Sequence, residues 1–250
     1  YGLWVWNMLN GNFGWSYRTG QPVGALLASR LPLTVELAIL SVLGSVMVGL
    51  PLGVLAATLR SRRTQLLTQV VGLVGLSIPS FWIAMVLIIV ASFQFGWLPP
   101  LIFVKPWEDP WLNLQQLALP ALSLSLGLGA VLLRMTRSSL LEVLGEEYVK
   151  VARAKGLGER AVVFRHALRN ALIPIITVIG LQLGYLLGGV VITEQVFGLP
   201  GIGWTLVNGV YQRDYPVVQG AVMLIAVSFM VLNLMVDLLY TVIDPRIRYD

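Results

Sequence analysis

The chain has 250 residues, of which 57% are hydrophobic and only 12% charged, and it carries a net charge of +5. A soluble domain holds roughly twice that share of charge, so the composition excludes a water-soluble globule and points to several membrane crossings. With no cysteine and a single histidine, His166, disulfides, thiol catalysis, thiolate metal sites and imidazole clusters are excluded too.

The chain opens on an aromatic stretch, Trp4, Trp6, Phe13, Trp15 and Tyr17, whose rings suit a membrane–water boundary. Residues 1–32 are expected to form an extracytoplasmic segment and 33–250 an all-α transmembrane domain, a polytopic helical bundle. Five apolar stretches follow, at about 33–59, 66–95, 112–133, 171–193 and 217–243, each long enough to cross a hydrocarbon core. Pro51, Pro79, Pro120 and Pro174 fall within or near the ends of these spans, which membrane helices tolerate. Pro79, in Ser77-Ile78-Pro79-Ser80, is the expected kink.

Small residues recur every four positions at Ser45, Gly49 and Gly53 and again at Gly180, Gly184 and Gly188. Such stripes let helix backbones approach closely. Tertiary packing is the simpler reading and a sliding subunit interface the alternative. Glu36 lies about one turn into the first span and Asp237 near the inner end of the fifth. Both are candidates, with Pro79, for a place in a transport path or gate, because ionisable groups in membranes are often functional. Structural pairing is the blander reading, with Arg30 a partner for Glu36. No row of carboxylates crosses the midplane, which argues against proton or sodium coupling.

Basic residues decide the sides. Arg60, Arg62 and Arg63 follow the first span; Arg134, Arg137, Lys150, Arg153, Lys155, Arg160, Arg165 and Arg169 follow the third; Arg246 and Arg248 follow the fifth. The other loops hold only Arg18, Arg30, Lys105 and Arg213, so thirteen against four place the third connection and the C-terminus in the cytoplasm. Tyr1 then lies outside without an export signal, so a preceding span, making six in all, is expected.

The third connection is a polar island of helix-forming residues. Ser139 and Glu142 match a capping box, and Leu141, Leu144, Tyr148, Val151 and Ala152 share one helical face. Gly156 offers a left-handed stop, and a second helix, about 159–170, carries Val162, Val163, Ala167 and Leu168 into the fourth span. The expectation is an elbow at about 139–170. Amphipathic basic helices rest on lipid or dock on protein with equal ease, so the pattern alone leaves both open.

Other motifs are weaker. Gly198-Leu199-Pro200-Gly201-Ile202-Gly203-Trp204-Thr205 has the glycines of a phosphate loop, but Trp204 stands where lysine must reach the phosphates. A bent outer loop is expected there, with Glu194 and Asp214 as solvated charges beside it or contacts for a protein partner. Glu108 and Asp109 are too close together for paired-carboxylate catalysis, and the lone histidine rules out a serine triad.

The run Tyr148-Val149-Lys150-Val151-Ala152-Arg153-Ala154-Lys155-Gly156-Leu157, continuing through Arg165-His166-Ala167-Leu168-Arg169-Asn170-Ala171-Leu172-Ile173-Pro174, resembles the cytoplasmic signature of bacterial ABC importer permeases. More narrowly it is similar to the first permease of the dipeptide/oligopeptide/nickel group. Gly11-Asn12-Phe13-Gly14-Trp15-Ser16, Arg30-Leu31-Pro32, Val196-Phe197-Gly198-Leu199-Pro200-Gly201-Ile202-Gly203 and Asp244-Pro245-Arg246-Ile247-Arg248-Tyr249 extend the likeness across the chain. Against the general importer signature only Ala152, Gly156 and Leu168 match, and the departures are those of the peptide subgroup.

The resemblance implies a type I importer fold and a permease that is not itself an enzyme. It would form half of a path for peptides or similar small solutes, with nickel complexes and oligosaccharides also within the subgroup. Its expected partners are a second homologous permease, two cytoplasmic ATPase subunits that bind ATP and magnesium, and an extracytoplasmic solute-binding protein. No cofactor, metal or nucleic acid is expected on this chain. Tyr148, Val151, Ala152, Ala154 and Leu157 would pack on the ATPase, Arg153 and Lys155 would add charge, and Gly156 would set the angle. The competing reading is an ion-coupled secondary transporter or channel.

Overall fold

A computed structural model of the chain describes residues 2–59, 61–100 and 103–243. The described residues are helical almost throughout. In chain order the helices are α1 (Gly2–Leu9), α2 (Val23–Thr58), α3 (Arg62–Ser77), α4 (Ser80–Phe95), α5 (Pro110–Leu144), α6 (Glu147–Ala154), α7 (Glu159–Ala161), α8 (Leu168–Gly189), α9 (Val191–Phe197), α10 (Ile202–Tyr211) and α11 (Tyr215–Ile243). A π-helical stretch, Val162–Ala167, joins α7 to α8.

Among the described residues, four stretches are long and apolar enough to cross a membrane: Val23–Thr58, Pro110–Leu144, Glu159–Leu187 and Tyr215–Val236. The expected second span, 66–95, is not one helix. It breaks between α3 and α4, and counting that pair as one crossing restores five. Pro79 is the cause. It lacks an N–H and crowds the residue before it out of the α region, and Ile78 is accordingly extended (φ −87°, ψ 121°). Pro120 and Pro174, by contrast, sit inside α5 and α8 without ending them.

The chain divides into two compact units, residues 1–40, 81–121 and 184–232 in one and 41–80, 122–183 and 233–250 in the other. This division cuts through α2, α5, α8 and α11.

In the first unit, a turn over residues 14–23 is closed by the Trp15–Pro22 bridge and by the Val23 N–H donating to the Gly14 carbonyl at 2.9 Å. It leads into α2 ten residues ahead of the expected start. Val23 and Leu27 of α2 pack on Ile202, Val217 and Ala221, with Phe13 against the same cluster. Trp6, Trp15 and Tyr17 remain exposed, as boundary aromatics do. Asp109 caps α5, its Oδ1 accepting the Trp111 and Leu112 N–H groups at 3.1 and 3.0 Å, with Pro110 at the first helical position, where its missing N–H is harmless.

In the second unit, Val54, Leu132, Leu140, Val163, Ala167, Ala171 and Ile175 form the core. The stripe on α2 serves packing. A Cβ at Gly49 would lie 2.6 Å from the Gly129 carbonyl oxygen, and one at Gly53 would lie 2.8 Å from that of Leu133. Only glycine permits so close an approach of α2 to α5.

Candidate functional site

The elbow belongs to the second unit, and its shape follows from three local breaks. The first comes later than expected. Ser139 caps nothing: it is buried within α5, which continues to Leu144 because apolar residues carry the helix past it. The chain turns at Gly145, whose N–H donates to the Glu142 carbonyl at 3.0 Å, and α6 starts after Glu146.

Gly156 makes the second break. Its φ is +81°, the left-handed region that side chains disfavour. The Leu157 N–H reaches back to the Ala152 carbonyl (3.4 Å) and the Gly156 N–H to that of Arg153 (2.9 Å). This paired closure is the Schellman arrangement. The third break is the π-helical stretch, a feature concentrated at functional places in helices. The polar connection therefore re-enters the bundle as one helical run from Glu159.

The expected apolar face of α6 is in fact two faces. Val149 and Ala152 are buried against Val162, with Val143 and Leu144 packed alongside. Tyr148, Val151, Ala154, Lys155, Gly156 and Leu157 are exposed, and Arg153 is half-buried. Of the residues expected to form the docking surface, Ala152 alone turns inward. Two contacts brace the corner: the Asn170 amide donates to the Tyr148 hydroxyl at 2.6 Å, and Arg153 is paired with Glu159 at 2.8 Å. The Glu159 carboxylate raises the pKa of the Arg153 guanidinium, keeping it charged. Phe164, on the π-helical stretch, adds an exposed ring. Neither Asn170 nor Phe164 stood out in the sequence.

In the first unit the glycine loop after α9 has its own anion. Glu194 is fully buried, not solvated. Its carboxylate accepts the Thr34 hydroxyl at 2.7 Å and the Trp204 N–H at 2.8 Å, while the Thr34 oxygen accepts the Ile202 N–H at 2.9 Å. A Cβ at Gly201 would collide with the Glu194 carboxylate. The loop thus cradles a side chain of its own chain where a phosphate loop would hold a nucleotide. Burial pushes the Glu194 pKa up to about 7, against the opposing pull of its hydrogen bonds.

Asp214 is buried as well, binding the Ser16 hydroxyl at 2.5 Å and the Tyr17 N–H at 3.2 Å. Both carboxylates were expected in solvent, and both instead staple the turn and loop to their own unit. Glu36 is half-buried and accepts from the Asn113 amide at 3.2 Å, whereas Arg30 turns to the Pro200 carbonyl at 3.5 Å. The expected Glu36–Arg30 pair is therefore replaced. The side chains of Asp237 and Trp4 and the run Asp244–Tyr249 lie outside the described residues.

Long apolar helices, a proline-broken span and a braced elbow make this a helical, multi-span membrane fold. Solved structures carry the same fold. The inward-facing MetNI methionine ABC transporter aligns at a TM-score of 0.70 and 19% identity over 88% of this chain and 96% of that one. An amino acid ABC transporter with histidines aligns at 0.68 and 17%, over 86% and 93%.

The chain belongs to the binding-protein-dependent transport system inner membrane component family, matched over residues 49–249. A Brucella abortus (strain 2308) protein provisionally named a peptide transport system permease is 42% identical over 249 residues, all of this chain and 79% of that protein. The glutathione transport system permease protein GsiC of Escherichia coli K12 is 42% identical over 246 residues, 98% of this chain and 78% of that protein. The protein is thus a multi-pass inner-membrane permease subunit of an importer that works with ATPase and substrate-binding partners.

Proposed function

We propose that this permease, paired with a second homologous permease, forms half of a path for peptides or similarly small solutes. Closure of two cytoplasmic ATPase subunits, which hold the ATP and magnesium, drives the path between outward and inward access. The relatives' names support the peptide class and do not extend to nickel complexes. An extracytoplasmic binding protein delivers the solute, and the elbow and C-terminus face the cytoplasm.

The observation that carries this reading is the elbow. Tyr148, Val151, Ala154 and Leu157 present an apolar patch beside Lys155, while Val149 and Ala152 anchor the same short helix from behind. A lever needs both properties: a surface the ATPase grips and a rear face that moves the spans with it. Arg153 keeps the corner rigid through Glu159. Among the path candidates, Pro79 is supported by the broken span as a hinge, whereas Glu36 is engaged with Asn113.

Reconstitution in liposomes tests the proposal. Uptake is expected only with the ATPase subunits, ATP and the loaded binding protein. Gly156→Leu forces a side chain into the left-handed region at a cost of about 1–2 kcal/mol, and is expected to leave ATP hydrolysis running while uptake falls. Gly158→Ala is the control, because Gly158 has an ordinary φ of −63° and open space around it. Uptake without the ATPase, or unchanged coupling in Gly156→Leu, overturns the proposal.

A further inference from the structure

In the second unit, a groove of about 250 Å³ lies between α3 and α5, with Gln69, Gly72 and Leu73 on one wall and Leu133, Arg134 and Arg137 on the other. Its surface is almost wholly carbon, so Arg134 and Arg137 line it chiefly with their aliphatic stems. The Arg137 Nε is buried and has no hydrogen-bond partner among the described residues. The ion pairs described use Lys105, Lys150 and Arg153, and neither groove arginine joins one. Arg134 is exposed and Arg137 half-buried, so two cationic heads at the rim of the groove favour an anion there.

Position narrows the choice. No charged residue occurs from Pro110 to Leu133 of α5. Those residues span about 36 Å at the helical rise, slightly more than the roughly 30 Å of a hydrocarbon core. Arg134 and Arg137 therefore stand where the helix passes the head-group phosphates. On the facing helix, Leu66, Leu67, Val70 and Val71 are exposed apolar residues suited to acyl chains. Gly72 keeps the trough open, since a Cβ there meets nothing within 4 Å.

We propose that this groove is a binding site for an anionic phospholipid. One acyl chain lies along Gly72, Leu73 and Leu133, and the phosphate sits on Arg134 and Arg137. Guanidinium forks match phosphate oxygens, and basic pockets between membrane helices at this depth hold lipid head groups. Free phosphate has no use for the carbon-walled trough. A protein occupant would have to bring an acid into it. The site is independent of cargo and of ATPase coupling, so it stands or falls by lipid binding alone.

The test uses the full-length chain purified with its partner subunits. Native mass spectrometry after titration with dioleoyl phosphatidylglycerol or dioleoyl phosphatidylcholine counts retained lipid. Phosphatidylglycerol is expected to be held preferentially. Arg134→Gln and Arg137→Gln each weaken retention about 5-fold and together about 30-fold, from the typical strength of one basic residue at a charged lipid surface. Gly72→Phe, which fills the trough without touching its charge, is expected to release the lipid as well. Three results overturn the site: equal retention of the two lipids, variants that hold phosphatidylglycerol as the parent does, and displacement by inorganic phosphate. A fourth is cross-linking of Gln69→Cys, then the only thiol in the chain, to another subunit, which would show the groove to be a protein contact.

Discussion

Glu194 shows how a single side chain can carry a segment's conformation and its pH response together. It gathers N–H and O–H donors from α2 and α10 at a site with no water access. Its ordinary pKa is near 4.5 and its folded value about 7. A carboxyl raised in the fold binds its proton more tightly there than in the unfolded chain. The associated stability is complete below pH 4.5 and is lost as pH rises through about 7, a change of roughly 3 kcal/mol for a shift of this size. Arg30, the nearest basic residue on α2, is turned to the Pro200 carbonyl and is not paired with this carboxylate among the described residues. Glu194→Gln mimics the protonated form. Thermal unfolding of the purified protein is therefore expected to match the parent near pH 5, and the variant is expected to gain relative to it by pH 8. Parallel curves from pH 5 to 8 would show that this carboxyl does not titrate in the fold. The sequence named Glu194 but could not reveal its burial, because its partner Thr34 lies 160 residues away along the chain.

At the scale of an element, α6 was legible in part. Gly156 was readable because a helix stop followed by a required positive φ leaves one residue type that fits. The start was not, because Ser139 and Glu142 satisfy a capping pattern that only a chain break would activate, and α5 runs on through them. The two faces of α6 were also hidden. Helical periodicity groups Tyr148, Val151 and Ala152 together, but only the packing of Val162 decides which neighbour turns inward. That split can be tested with two valines. Val149 is fully buried, so Val149→Ala leaves a cavity and is expected to destabilise the protein by roughly 1–3 kcal/mol. Val151 is half exposed, so Val151→Ala is expected to change stability by less than about 0.5 kcal/mol while weakening co-purification of the ATPase. Thermal midpoints and the yield of bound ATPase separate the two effects. A large stability loss from Val151→Ala would mean that its face is covered by the chain itself.

For the molecule as a whole, composition and periodicity foretold an all-helical bundle of about five crossings, because each span must satisfy its backbone internally. They did not foretell the two interleaved units, which depend on contacts between residues far apart in sequence. Orientation rests on the charge asymmetry, thirteen basic residues against four, and the positive-inside tendency turns that count into a direction. The chain has no cysteine, so single thiols report sidedness without background. Thr19, Glu108, Glu146 and Leu157 are all exposed, so a cysteine at any of them is accessible to reagent from its own side. A membrane-impermeant maleimide applied to right-side-out vesicles is expected to label Thr19→Cys and Glu108→Cys. Glu146→Cys and Leu157→Cys should react only after permeabilisation, and Leu157→Cys should be protected when the ATPase is bound. The opposite pattern would put the elbow on the face where no ATP is available, and coupling through Gly156 would then have no energy source.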